Sequence, residues 1–274
     1  MKYKAEWFND EYFWECYAPV MFDDKRWAEV SAAADGVTRL ARLNLYGADS
    51  GGAEKGARPA EREGVKVLDL CCGFGRITAE LARRGFTAAG VDLTESYLRT
   101  AREDAAHENL DIEYINADAR SFRRPGAFDL AVNLYISFGY FEDPKDDRLM
   151  LRNVFESLKP GGTLIMETLG KEIAVRDFTR NEWFRRAGFL VLTEYEPVDS
   201  WGGLKNRWIL IDSEGKRIEK TFTQRLYGAT ELRSLLRETG FSQVELYGNW
   251  DEAPYDEGAE TLIAAARKQG GTPR

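Results

Sequence analysis

Residues 65–85 constrain the fold more than any other part of this 274-residue chain. They open with a short apolar run, residues 65–70, which predicts a buried parallel strand. A turn containing Gly73 and Gly75 follows, and the apolar spacing after it predicts a helix that stops at Gly85. A strand, a glycine-rich turn and a helix form the first half of a βαβ unit. The sequence therefore predicts an α/β fold.

The second half of the unit follows at once and indicates a ligand. Residues 87–92 predict the next strand, which ends at Asp92. Ligands of open α/β sheets bind at the carboxyl ends of the strands. Gly73 and Gly75 allow the backbone to approach a ligand closely, and Asp92 is placed to accept hydrogen bonds from two ribose hydroxyls. This pattern predicts a nucleoside cofactor.

Two nucleoside cofactors compete for this turn. A dinucleotide site prefers G-x-G-x-x-G, but Thr78 stands at the third glycine position. Asp69, just upstream of the turn, would repel a pyrophosphate and attract a cationic, amine-bearing ligand. S-adenosylmethionine carries both a sulfonium and an ammonium group, so the sequence favours it.

At these residues the chain resembles the class I S-adenosylmethionine-dependent methyltransferases. Their first motif, an acid followed by alternating glycines, stands here as Asp69-Leu70-Cys71-Cys72-Gly73-Phe74-Gly75, with Cys71 in place of the first glycine. The turn at residues 159–162, between a predicted helix and a fifth strand, is a further signature of that family. The resemblance covers roughly residues 65–170. It implies a Rossmann-like seven-stranded sheet with helices on both faces and a terminal antiparallel pair.

The resemblance also implies which residues contact S-adenosylmethionine. Asp118 and Ala119, at the end of the third predicted strand, match the family position that binds adenine, and Leu93 follows the ribose acid. The candidate cofactor-binding residues are Asp69, Cys71, Gly73, Gly75, Asp92, Leu93, Asp118, Ala119 and Asn133.

The end of the fourth predicted strand is where this family places the methyl donor against the acceptor. The signature of an Asn or Asp, two prolines and an aromatic residue, typical of enzymes that methylate nucleic-acid bases or protein glutamine, is absent there. The segment instead resembles methyltransferases of small amines, amino sugars or hydroxylated metabolites. Tyr135 and Tyr140 are the candidate catalytic residues, in a positioning role, with packing aromatics as the alternative.

The rest of the chain predicts two additions to this core. Residues 1–50 are rich in aromatics and predict either a helical lid or a helical extension packed on the sheet, and residues 51–64 are a loop by composition. Residues 189–227 contain three apolar runs joined by short turns, which predict an inserted antiparallel sheet. The core is therefore divided into residues 65–188 and 228–268.

Four residues of these additions are candidates for substrate contact. Tyr12 and Tyr17 belong to the predicted lid, where aromatic faces hold cations such as a sulfonium or an amine. Arg207, beside Trp208, and Arg225 belong to the predicted inserted sheet. Arg225 suits a substrate carboxylate, with a solvated strand arginine as the alternative.

Composition limits the partners. The net charge of −8 argues against nucleic-acid binding, and no long apolar stretch predicts a membrane helix. The three cysteines predict a cytoplasmic protein without disulfides. Because Cys71 and Cys72 are adjacent and His107 is the single histidine, we expect no metal site.

These observations predict an enzyme that transfers a methyl group from S-adenosylmethionine to N, O or C of a small molecule, as a monomer or homodimer. Three alternatives remain. They are an RNA methyltransferase, a non-catalytic S-adenosylmethionine-binding protein and an NAD-dependent oxidoreductase.

Overall fold

The computed structural model describes residues 6–41 and 64–270, so most of the predicted loop at 51–64 lies outside the described residues. The strands are β1 (Lys66–Leu70), β2 (Thr87–Asp92), β3 (Ile112–Asn116), β4 (Phe128–Asn133), β5 (Leu158–Thr168), β6 (Asn181–Arg186), β7 (Phe189–Val198), β8 (Gly203–Ile211), β9 (Arg217–Arg225), β10 (Gln243–Tyr247) and β11 (Leu262–Arg267). The α-helices are α1 (Glu11–Met21), α2 (Asp24–Ala28), α3 (Val30–Leu40), α4 (Arg76–Arg83), α5 (Glu95–His107), α6 (Pro144–Ser157), α7 (Lys171–Arg176) and α8 (Ala229–Thr239). No helix within these ranges is long and apolar enough to cross a bilayer.

Seven strands form the central sheet, in the order β10-β11-β5-β4-β1-β2-β3. Strands β1 to β5 are parallel to one another, whereas β11 runs antiparallel to β5 and β10 antiparallel to β11. The predicted Rossmann-like sheet and its terminal antiparallel pair are therefore confirmed. The parallel arrangement brings the carboxyl ends of β1, β2 and β4 to one edge of the sheet.

Helices cover both faces of this sheet. Side chains of β1 alternate between the faces, as those of any strand do. Leu68 and Leu70 pack in the apolar cluster that contains residues of α6 and α8. Val67 packs in the opposite cluster with residues of α3 and α4. Helix α3, which falls within the predicted lid, is thus part of the packing against the sheet.

A second, four-stranded antiparallel sheet has the order β6-β7-β8-β9. The sequence predicts only three of these strands and misses β6, because five of its six residues are exposed and it lacks the alternation that marks a half-buried strand. Phe13 and Tyr17 of α1 pack on one face of the sheet against Val191 and Leu210. The division of the chain into lid, core and insert stays a prediction.

Gly75 stands directly before α4 in the left-handed region, with φ +68°. A Cβ at this position would lie 2.3 Å from the hydroxyl oxygen of Tyr114, a buried residue of β3. Both the backbone conformation and the close approach of this ring therefore require glycine.

We predict that Gly75→Ala lowers the free energy of unfolding by about 3 kcal/mol, the sum of left-handed strain and overpacking. Gly126→Ala is the matched control. Gly126 has φ +60°, but apart from its chain neighbours no described residue has an atom within 4 Å of the added Cβ. It should lose only about 1 kcal/mol, from the backbone strain alone. Urea denaturation measures both, and equal losses would show that Tyr114 moves aside without cost.

Candidate cofactor and acceptor site

A cavity of about 220 Å³ lies at the carboxyl ends of β1, β2 and β4 and is covered by residues of α1 and β8. It is lined by eight of the residues predicted from the sequence, namely Cys71, Gly73, Asp92, Leu93, Asp118, Ala119, Tyr135 and Tyr140. The ends of neighbouring parallel strands therefore bring together residues that are far apart in the sequence.

Asp92 connects the end of β2 to the glycine-rich turn. Its Oδ2 accepts a hydrogen bond from the Gly73 N–H at 2.8 Å, and its Oδ1 accepts one from the Thr94 N–H at 2.9 Å. Burial raises the pKa of Asp92, while these backbone donors oppose that shift. Each carboxylate oxygen keeps a further lone pair. Asp92 is thus fixed in position and still able to accept from ligand hydroxyls.

Asp118 is held by a buried arginine that the sequence analysis did not identify. Arg120 donates to the Asp118 carboxylate from Nε at 3.0 Å and from Nη2 at 2.6 Å. Its Nη1 contacts Glu6 and Asp146, each at 3.0 Å. Arg120 therefore joins Asp118, the acid predicted to bind adenine, to the N-terminal segment and to α6. An arginine two residues after the strand-end acid is the only signal that the sequence offers.

Three predicted cofactor residues do not line the cavity. Asp69 is buried and accepts a hydrogen bond from the Thr78 hydroxyl at 2.6 Å. Asn133 is also buried and donates from Nδ2 to the Leu70 carbonyl at 2.9 Å. Gly75 packs against the tyrosine of β3 described above. These residues stabilise the turn from behind, and a direct contact with cofactor stays a prediction for each.

Tyr135 follows β4 in a strained backbone segment. Tyr135 and Ile136 both have positive φ, +54° and +61°, which is uncommon for residues with a Cβ. The Glu167 carboxylate accepts a hydrogen bond from the Tyr135 N–H at 3.0 Å and supports this conformation. Burial raises the pKa of Tyr135 to about 12 and also raises that of Tyr140. Both hydroxyls are therefore protonated near neutral pH.

The four predicted substrate residues do not line the cavity. Tyr12 is exposed and its hydroxyl contacts Lys216, whereas Tyr17 is buried with its ring stacked on Trp208 at 4.7 Å. Tyr17 thus supports a residue that does line the cavity. A direct substrate contact by either tyrosine stays a prediction.

The two arginines are engaged by protein carboxylates. Arg207 pairs with Glu194 and Glu219 on the face of the sheet opposite to Trp208, because successive strand residues point to opposite faces. Arg225 pairs with Asp147, whose side chain is fully buried. A substrate carboxylate would have to compete with an existing ion pair at either position.

Aromatic residues line much of the cavity. They include Trp7, Phe8, Trp14, Tyr140, Phe141 and Trp208. Two of them, Phe8 and Phe141, lie over the Arg120 guanidinium that holds Asp118. The rings of Trp7, Tyr140 and Trp208 instead contact Phe222 of β9. Trp7 contacts Tyr140 with ring centroids 5.5 Å apart, and its buried indole N–H has no hydrogen-bond partner among the described residues. Trp14 and Met21 both line the cavity and are seven residues apart, a spacing that identifies the inward face of α1.

Comparisons with known proteins agree with this geometry. Residues 67–162 match the family model described as a methyltransferase domain. A ubiquinone biosynthesis O-methyltransferase of Caulobacter vibrioides is 34% identical over 120 residues, which are 43% of this chain and 46% of that relative. The chain thus spans about half the length of the curated relatives that it matches first.

Two solved structures share the fold over nearly the whole chain. One is an S-adenosylmethionine-dependent methyltransferase from Clostridium acetobutylicum, with a TM-score of 0.70 and 17% identity over 94% of this chain and 98% of that one. The other is a sugar N-methyltransferase from Streptoalloteichus sp., with a TM-score of 0.65 and 17% identity over 98% of this chain and 95% of that one. Residues 67–162 therefore match a methyltransferase domain, and the chain shares the fold of S-adenosylmethionine-dependent methyltransferases.

The residues of this methyltransferase domain suit S-adenosylmethionine. Asp92 retains acceptor capacity for the ribose, and Gly73 (φ +56°) presents bare backbone to the cavity. Among residues 6–41 and 64–270, no group of three or more His, Cys, Asp or Glu residues is arranged to hold a metal ion.

Asp69 of the methyltransferase domain makes the stability depend on pH. Burial raises the pKa of Asp69 from 3.8 to about 6, although the hydrogen bond from Thr78 opposes the shift. Because the folded state binds this proton more tightly than the unfolded state, ionisation lowers stability as pH rises through this range.

We predict that Asp69→Asn gains about 2 kcal/mol in unfolding free energy relative to the unaltered protein between about pH 4.5 and about pH 7.5. Any constant cost of the extra amide group cancels in this comparison across pH. Urea denaturation at several pH values measures the difference, with Asp111→Asn, at an exposed position before β3, as the control. A difference that does not change with pH would contradict the assignment.

Proposed function

We propose that this protein is an S-adenosylmethionine-dependent methyltransferase that acts on a small-molecule acceptor. The observation that carries the proposal is a single cavity with two chemically distinct parts. Asp92 and Asp118 belong to one part, and Trp7, Tyr140 and Trp208, whose rings all contact Phe222 of β9, belong to the other. When bound in the first part, S-adenosylmethionine supplies an electrophilic methyl group on a sulfonium. The aromatic part is available for the acceptor.

We further propose that the acceptor atom is an amine nitrogen. Asp92 and Asp118 are the only carboxylates among the described residues that line the cavity, and both are engaged in hydrogen bonds on the cofactor side. Burial raises the pKa of Tyr135 and of Tyr140, so both hydroxyls keep their protons near neutral pH. No described lining residue is therefore suited to remove a proton from an alcohol. A neutral amine needs no such base, because its lone pair is already nucleophilic.

The aromatic rings suit this chemistry in a second way. Methylation of a neutral amine creates a positive charge on nitrogen, and the faces of Trp and Tyr rings attract cations by about 0.5–2 kcal/mol. Trp7 stacks on Phe222 at 4.0 Å, which fixes its ring against the second sheet. A ring held in one position also favours alignment of donor and acceptor, and alignment can supply most of the rate enhancement. The sugar N-methyltransferase that shares the fold supports an amino-sugar type of acceptor.

Other parts of the proposal concern the setting of the protein. A cytoplasmic location follows from the low cysteine content and stays a prediction, as does a monomeric or homodimeric state. The net charge of −8 supports a small molecule rather than a nucleic acid as acceptor.

Binding measurements test the proposed cofactor. Titration calorimetry should detect micromolar binding of S-adenosylmethionine and S-adenosylhomocysteine and no binding of NADH. Asp92→Ala should weaken both interactions by about 100-fold, because two hydrogen bonds to a carboxylate are lost. Asp111→Ala, at the other end of the neighbouring strand, is the control and should bind normally. Binding of NADH alone would overturn the proposal.

The pH dependence of catalysis tests the proposed amine acceptor. If the amine is deprotonated in solution before it binds, kcat/KM should rise with pH and level off at the pKa of the acceptor itself. Two amine acceptors whose pKa values differ by about two units should therefore give midpoints that differ by about the same amount. Calorimetry with S-adenosylhomocysteine over the same pH range controls for cofactor binding. A midpoint common to both acceptors would indicate a base on the enzyme and contradict this proposal.

A further inference from the structure

Arg76 is a buried cation that forms no ion pair with any carboxylate of the described residues. It is the first residue of α4, is 6% exposed and lines the cavity next to the glycine-rich turn. Its Nη1 donates to the Arg26 carbonyl at 2.7 Å. Within residues 6–41 and 64–270, its guanidinium has no further hydrogen-bond acceptor and no ion-pair partner. A buried guanidinium is costly unless its charge and its N–H donors are satisfied.

Aromatic rings hold this guanidinium at the cavity wall. Its central carbon lies 4.7 Å from the ring centroid of Tyr135 and 4.8 Å from that of Phe22. Such contacts offset part of the cost of burial and restrict the orientation of the planar group. Burial lowers the pKa of Arg76, which remains charged because an arginine is not deprotonated in proteins.

Asp69 and Glu29 attract the Arg76 charge at longer range, but each makes its hydrogen bond or ion pair with another group. Asp69 accepts from Thr78 behind the turn, and Glu29 pairs with Arg26 at 3.0 Å. Glu167 accepts from the backbone N–H of Tyr135. Arg76 thus lines the cavity as a cation whose forked donors match a planar carboxylate.

We propose that Arg76 binds the α-carboxylate of S-adenosylmethionine and selects ligands that carry the amino-acid tail. The inference rests on the proposed function, since that carboxylate is the only anionic group of the cofactor. Arg76 is three residues after Gly73 and touches Tyr135, whereas Asp118, the adenine-side residue, is at the end of another strand. The arginine therefore suits the methionine end of the ligand.

The experiment compares two ligands that share the adenosine and sulfur but differ in the tail. S-adenosylhomocysteine has the carboxylate, and 5′-methylthioadenosine lacks the whole amino-acid portion. Measured by calorimetry, Arg76→Met should lower the affinity for S-adenosylhomocysteine about 10- to 100-fold, because this ligand loses charged hydrogen bonds. The affinity for methylthioadenosine should change by less than about 3-fold.

Two further variants keep the test independent of folding. Arg76→Lys retains the charge and should preserve most of the preference for S-adenosylhomocysteine. Arg83→Met is the matched control on the same helix, since Arg83 pairs with Glu80 and Glu108 and does not line this cavity. It should leave both affinities unchanged. Thermal melting confirms that each variant is folded.

The outcomes separate the inference from the proposed function. Two results would overturn the role of Arg76 and leave the cofactor assignment intact. Arg76→Met could lower the affinities for both ligands equally, or it could leave the affinity for S-adenosylhomocysteine unchanged. If the unaltered protein binds neither ligand, the proposed function itself fails. The proposal is supported if Arg76→Met loses affinity for S-adenosylhomocysteine alone and Arg76→Lys retains that affinity.

Discussion

The hydrogen bond from the Gly73 N–H to the Asp92 carboxylate is the interaction on which the site depends. Together with the bond from the Cys72 N–H to the Val91 carbonyl at 3.0 Å, it fastens the turn after β1 to the end of β2. The turn needs left-handed conformations, with φ +61° at Cys71 and +56° at Gly73. A carboxylate at the strand end thus shapes the floor of the cavity while keeping lone pairs for a ligand.

Two arginines near the cavity, Arg120 and Arg76, have their charges balanced in different ways. Near Asp118, Arg120 is surrounded by three carboxylates, so that charges of both signs are paired within the protein. At Arg76 the cation is stacked on rings and lacks such a partner among the described residues. Because an unpaired buried charge is costly, the second arrangement suits a site completed by a ligand, whereas the first suits a fixed structural connection.

The two halves of the cavity come from different parts of the architecture. Strand ends of the seven-stranded sheet supply Asp92 and Asp118, whereas the N-terminal segment and β8 supply Trp7, Trp14 and Trp208. Methyl transfer to a neutral amine places most of its demands on alignment and exclusion of water. Strand-end carboxylates fixed by backbone hydrogen bonds, together with an aromatic wall, suit the base-free transfer proposed above.

The sequence by itself determined the βαβ unit, the order of the core elements and the cavity-lining positions at the strand ends, such as Asp92 and Asp118. These follow from local patterns, since hydrophobic period and strand termini are written in consecutive residues. Only the tertiary structure decided that Trp208 rather than Arg207 faces the cavity, that Asp147 engages Arg225, and that strand β6 exists at an exposed edge. Such outcomes depend on which distant groups meet to bury a ring or pair a charge, and no local spacing encodes that choice.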